Sequence, residues 1–156
     1  MKGFICFIVL LCTLSFLTKS HAEESLFGNM NKSYGVREDI VAFIQSKIPR
    51  YNSEAIKAAF IIARQEQILY YEATTPEEAA KAVQKIIIAN ECMRQAFENK
   101  VSSYLIYKDI ENLMQNNKER MNHTWAVNEK FFAKNHYQFK SYEGDELKKL
   151  CMSGEY

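Results

Sequence analysis

Apolar residues recur at three- and four-residue intervals over most of the chain, the period of amphipathic helices rather than the alternation of half-buried strands. Val36, Ile40, Phe43, Ile44 and Ile48 trace a first helical face. Pro49 closes it, because the residue before a proline is biased away from helical backbone. In a second segment, with Ser53 as its predicted cap, Ile56, Ala59, Phe60, Ala63 and Tyr70 share a face. Ile61, Ile62, Ile68 and Leu69 broaden that face until the helix reads as buried on most sides. Thr75-Pro76-Glu77-Glu78 is the clearest local signal. Threonine caps, proline takes the first helical position where its missing N–H costs nothing, and Glu78 closes a capping box. The helix it opens is predicted to run to about Asn99, with Ala79, Ala82, Val83, Ile86, Ile87, Met93 and Phe97 inward. A fourth is predicted from Ser103 to Asn116, and another from Asn122 that carries Trp125, Phe131 and Phe132. After the break at Gly144, a last short helix should carry Leu147, Leu150 and Cys151. The prediction is an all-α fold: a compact bundle of five or six helices joined by short loops.

Residues 1–22 read differently. Lys2 precedes an unbroken apolar run of about 14 residues, Phe4 to Leu17, and Ser20-His21-Ala22 offers small residues at a cleavage site. The run is shorter than the roughly 20 residues a spanning helix needs. Residues 1–22 are therefore assigned to a cleaved secretory signal peptide, and residues 23–156 to a single helical domain with a flexible N-terminal arm over 23–35. This places the protein in the periplasm or outside the cell, with no integral membrane segment after cleavage.

Export changes the cysteine arithmetic. Cys6 and Cys12 leave with the leader, so Cys92 and Cys151 remain, in an oxidising compartment where two cysteines are expected to form one disulfide. That bond would link the third helix to the C-terminal helix across about 60 residues, a loop for which chain entropy gives roughly 4 kcal/mol. Loss of Lys2 and Lys19 from the 20 basic residues leaves 18 against 19 acidic ones, nearly balanced. Near-zero net charge removes the bulk electrostatic support that nucleic-acid binding requires.

His123 and His136, the histidines left after cleavage, belong to no HExxH or cysteine cluster, so no metal site is assigned and both read as surface residues. The sequence contains no nucleophile elbow, phosphate-cradling glycine loop or calcium loop, and no cofactor is assigned. Arg64-Gln65-Glu66-Gln67 is a polar island between AAFII and ILYY. If this helix is buried, those charges need partners, because an unpaired buried charge is costly. Glu91 and Arg94 on the third helix are the expected ones, giving a structural polar network of Arg64, Glu66, Glu91 and Arg94. The catalytic alternative makes Glu66 a general acid in a muramidase-like site, which requires a second carboxylate facing it across a groove. The sequence does not place Asp109 or Glu111 there.

Aromatic residues carry the binding expectation. Nine tyrosines exceed what so small a core can bury, and the stretch WAVNEKFFAKNHYQFKSY over residues 125–142 interleaves rings with lysines. Trp125, Tyr137, Phe139 and Tyr142 are the candidate contact residues.

In size, export and cysteine count the chain resembles the small helical, single-disulfide periplasmic immunity proteins that counter cell-wall-degrading toxins. The segment IIIANECMRQAF, residues 86–97, loosely resembles their cysteine-bearing helix. The resemblance carries over no functional residue; it implies an inhibitor-like binder. The functional expectation is a non-catalytic exported protein that binds another exported protein, with a homodimer as a further association considered. An envelope stress or chaperone-like role and a cell-wall glycan hydrolase are the alternatives.

Overall fold

The computed structural model describes residues 26–97 and 99–154. The signal-peptide reading of residues 1–22 lies outside the described residues.

The chain segment read as the end of a loose arm is ordered into a small hairpin. Strand β1 (Met30–Asn31) pairs antiparallel with β2 (Val36–Arg37), Met30 opposite Arg37 and Asn31 opposite Val36. The turn is made by Asn31, whose Oδ1 accepts from the amides of Ser33 at 3.1 Å and Tyr34 at 3.3 Å. Gly35 then adopts φ +61°, a conformation that L side chains rarely take. Periodicity could not reveal a two-residue ladder, because each strand is too short to show alternation.

Six α-helices follow: α1 (Glu38–Lys47), α2 (Ser53–Gln67), α3 (Pro76–Ala96), α4 (Lys100–Met114), α5 (Lys118–Phe132) and α6 (Gly144–Ser153). Among the described residues no helix is long and apolar enough to cross a membrane. The α2–α3 pair forms the centre of the bundle. Its interface is built on alanine: Ala55, Ala58, Ala59 and Ala63 on one helix, Ala79, Ala82 and Ala89 on the other, all buried. Short side chains let two helices approach closely, and bulk is supplied around them by Ile40, Ile44, Ile62, Met93, Ile110, Met114 and Phe131. Burying one such large side chain is worth about 1.5–3 kcal/mol.

Helix boundaries follow polar caps. Thr75 accepts from the Glu78 amide at 3.2 Å, while the Glu78 carboxylate reaches back to the Thr75 amide, completing the predicted capping box. Asn52 rather than Ser53 caps α2, Asn99 caps α4 and Asn117 caps α5, each through its side-chain oxygen. These asparagines move the starts of α4 and α5 earlier than periodicity placed them, since the first turn of each is polar. α6 ends on Gly154, left-handed at φ 66°.

Cys92 on α3 and Cys151 on α6 are joined as a disulfide, with Cα atoms 5.3 Å apart. Beside it Leu147 buries the inner face of α6. The long connection before α6 is held by Gln84 of α3, which donates to the Lys140 carbonyl at 2.9 Å and accepts from the Lys140 amide at 2.7 Å.

Candidate functional site: a cleft with a buried carboxyl at its floor

Past Gln67 the α2 helix widens into a π-helical turn, Ile68–Glu72, closed by the Ala73 amide donating to the Ile68 carbonyl at 2.8 Å. Such turns insert one residue into a helix and recur at functional sites. Nothing in ILYYE announces one, because the residue types are those of an ordinary helix. The carbonyl of Tyr70 is met by His123 Nε2 at 2.6 Å, which places the imidazole proton on that nitrogen because a carbonyl only accepts. His123 also stacks on Tyr71, ring centroids 5.2 Å apart and planes 4° apart. It is thus half-buried and structural, not the free surface histidine expected.

The wide turn stands at one wall of an open cleft of about 360 Å³ lined by residues of α2, α3, α4, α5 and the loop before α6. α4 and α5 are joined by only three residues, yet they pack little against each other, and both contribute side chains to this cleft. Leu69, Val83, Ile86, Ile87, Phe132 and Phe139 give it apolar walls. Glu66, Tyr70, Tyr107, Glu111 and Asn128 supply its polar groups.

Glu66 is only 2 % exposed, and its Oε2 is buried without a hydrogen-bond partner. Burial first, and the neighbouring Glu111 charge second, push its carboxyl up to about 8, against a partial offset from Lys108. Glu66 therefore holds its proton at neutral pH. Glu111 is ion-paired with Lys108 one turn away on α4. Burial, then the charges of Glu66 and Glu111, also raise the phenols of Tyr70 and Tyr107; Tyr70 is hydrogen-bonded to Asn128.

The expected network of Arg64, Glu66, Glu91 and Arg94 is not assembled. Arg64 forms a two-pronged pair with Glu72, and Arg94 pairs with Glu91 on its own helix, at 2.7 Å from Nε. Glu66 is left with no arginine, because both arginines find carboxylates on the partly exposed flanks of their own segments. The second carboxylate that sequence could not place is Glu111, which lines the same cavity as Glu66.

The four candidate contact residues divide. Phe139 lines the cleft and Tyr137 bridges it to Phe132, with centroids 5.7 Å from Phe132 and 6.2 Å from Phe139. Trp125, 73 % exposed, sits one helical turn before Asn128 on α5. Met121, Trp125, Asn128 and Phe132 recur at i, i+4, i+7 and i+11, so the exposed pair shares a helix face with the cleft-lining pair. Tyr142 is apart from them, packed on the core edge with the Lys140 ammonium 4.3 Å from its ring centroid. On α4 the exposed Tyr104 lies three residues before cleft-lining Tyr107, with exposed Val101 and Leu105 beside it.

A second polar cluster is structural. Arg37, 1 % exposed, pairs with Asp39 and donates to the Leu113 carbonyl at 2.9 Å. Arg120 donates to the Leu26 carbonyl at 3.0 Å and to the side chain of Asn116. Together they tie the N-terminal hairpin to the α4–α5 connection.

Among the described residues no group of three or more His, Cys, Asp and Glu side chains converges to hold a metal ion. No family model, curated protein or solved structure matches the chain.

Proposed function

We propose that the chain is a non-catalytic protein-binding module, exported by its leader and acting as an inhibitor or immunity-type partner of another exported protein. The observation that carries this reading is the exposed apolar rim of the α4–α5 cleft: Trp125 and Met121 on the α5 face that carries Asn128 and Phe132, and Tyr104 on the α4 face that carries Tyr107 and Glu111, around a cavity walled by Phe132 and Phe139. Protein interfaces concentrate their energy in a few aromatic anchors around a pocket that excludes water. The Cys92–Cys151 bond and the Gln84–Lys140 hydrogen bonds hold the Phe139 loop to α3 before any partner arrives, which lowers the ordering cost of association. An oxidising compartment fits a disulfide of this kind, and the periplasm or extracellular space supplies it.

The test is recovery of one stoichiometric partner by the oxidised protein from its native envelope fraction. Recovery should fall at least tenfold with Trp125→Ala and Phe139→Ala, and persist with Tyr51→Ala, an exposed ring outside the cleft. Equal recovery by all three variants would exclude this surface.

Placement of Glu66 and Glu111 on one cavity favours a second reading, hydrolysis of a cell-wall glycan. A protonated acid beside a second carboxyl group is the pairing that glycosidases use. The walls argue against it, since Leu69, Val83, Ile86 and Ile87 give sugar hydroxyls no hydrogen-bond partners. Turnover of peptidoglycan abolished by Glu66→Gln, with the fold retained, would reverse the order of the two readings.

A further inference from the structure

The polar floor of the cleft poses a problem that the bundle itself does not solve. Glu66 Oε2 is buried and unpartnered, although an unsatisfied buried polar atom carries an uncompensated desolvation cost. A merely structural position would be served better by leucine or methionine. Among the described residues the polar and charged groups around it are Tyr70 and Tyr71 from the π-helical turn, Tyr107, Lys108 and Glu111 from α4 and Asn128 from α5, while α3 lines the cleft with apolar side chains. Lys108 is engaged by Glu111, and among the described residues no cation reaches Glu66 Oε2 as a hydrogen-bonding partner.

We infer that the α4–α5 cleft binds a primary alkylammonium group, the chemistry of a lysine side chain, with its carbon chain against Ile86, Ile87 and Phe132 and its ammonium on Glu66 and Glu111. The site offers what that ligand needs along its whole length. A methylene stem is covered by the aliphatic wall at about 25 cal/mol per Å². The charged end meets two carboxyl groups and the faces or edges of Tyr70, Tyr107 and Phe139, rings of the kind that attract cations. An ammonium carries three donors and would satisfy the orphan oxygen directly. A carboxylate ligand would offer Glu66 Oε2 no donor and add negative charge beside Glu111, and an alcohol would offer one donor without the charge that an ammonium brings to the two carboxyl groups. This inference rests on the cleft that the proposed function uses, and it names the anchor a protein partner would insert there.

Ligand arrival also moves a proton. Glu66 is protonated in the empty cleft at neutral pH, and a cation at its oxygen favours ionisation, so the O–H proton leaves Glu66 for solvent as the ammonium binds. No other bond forms or breaks.

The experiment titrates the oxidised protein with n-hexylammonium, 1-hexanol and hexanoate at pH 7, by amide and side-chain NMR shifts and by calorimetry in two buffers of different ionisation enthalpy. Hexylammonium should bind at least tenfold more tightly than hexanol, shift resonances of Ile87, Tyr107 and Phe132, and release between half a proton and one proton per molecule bound. Glu66→Gln, checked for an unchanged fold by its NMR spectrum, should lose that preference and the proton release while still admitting hexanol. Glu111→Gln should weaken hexylammonium binding and reduce the release, because the Glu111 charge helps hold the proton on Glu66 in the empty cleft. Equal affinity for amine and alcohol, tighter binding of hexanoate, no binding of any probe, or full preference in Glu66→Gln would each overturn the inference. If the amine fails while Trp125→Ala still abolishes partner recovery, the protein-binding reading stands and only its anchor is wrong.

Discussion

Arg37 Nη2 donates to the carbonyl of Leu113, 76 residues further along the chain, at 2.9 Å. Leu113 lies in the last turn of α4, whose carbonyls have no partner within the helix. Tyr71 addresses the next one, its hydroxyl 3.4 Å from the Met114 carbonyl. A buried guanidinium thus closes the end of one cleft helix and is itself held by Asp39 at 2.5 Å.

Replacing Arg37 by alanine should therefore destabilise the fold by about 2–3 kcal/mol, the range for losing hydrogen bonds to a charged group and orphaning a buried acceptor. Lysine should recover only part of this, because its ammonium cannot span both Asp39 oxygens and the Leu113 carbonyl in the planar arrangement arginine uses. Urea midpoints of the two variants give the comparison. An alanine variant with the wild-type midpoint would show that the hairpin strap contributes nothing.

The disulfide makes a separate prediction. Its cysteines are 59 residues apart in sequence, and closing a loop of that length removes about 4 kcal/mol of denatured-state entropy. Reduction, or the double replacement Cys92→Ser and Cys151→Ser, should lower stability by an amount approaching that figure. The loss should fall first on α6, which is only ten residues long and buries a single large apolar residue, Leu147. Amide exchange checks this: protection in α6 should drop toward that of an exposed segment while α2 and α3 retain theirs.

What the sequence made readable was whatever depends on local chemistry. The Thr75–Glu78 box and the stop at Pro49 needed only spacing and capping preference and appear where those rules put them, whereas the helical faces do so in part: Val36, expected on the first helix, lies in β2, and the third helix ends at Ala96 short of Asn99. The α2–α3 interface was harder to read as a close approach, because alanine signals a helix without saying which surface it meets. The cleft was not readable. It depends on how five elements meet and on a π-helical turn with no compositional mark, and it unites Glu66 with Glu111 across 45 positions. Glu66 was singled out as a charge among apolar residues. Its arginine partners were misjudged because Glu72 and Glu91 lie closer to Arg64 and Arg94 than a cross-helix network would require.

Thr75→Ala isolates the strongest local signal. Threonine at this cap accepts from Glu78 N, and Glu78 in return meets the amides of Thr74 and Thr75. Removing the hydroxyl should cost about 1 kcal/mol. The loss should appear in the thermal midpoint without altering the cleft, since Thr75 lies outside it; hexylammonium affinity should stay within twofold of wild type. A larger change in binding would mean that the start of α3 and the cleft are mechanically linked.

The pH dependence of stability tests the state of Glu66 itself. Its carboxyl sits at about 8 in the folded protein against the ordinary 4.5. Below 4.5 both folded and unfolded chains hold the proton, so Glu66 leaves stability unchanged there. As pH rises past 4.5 the unfolded chain ionises and the folded one does not, which favours unfolding by up to about 1.4 kcal/mol per pH unit until the folded carboxyl also ionises near 8. Asp39, held below its ordinary range by its contacts with Arg37 despite partial burial, acts with the opposite sign and at lower pH, where acid removes its contribution. The comparison must therefore be a difference between wild type and Glu66→Gln across pH 4 to 9. The glutamine variant should gain stability relative to wild type steadily from pH 5 to 8, with the gain levelling off above. A difference that stays flat over that interval would mean Glu66 ionises normally in the folded state, and that water or an unrecognised cation already reaches the floor of the cleft.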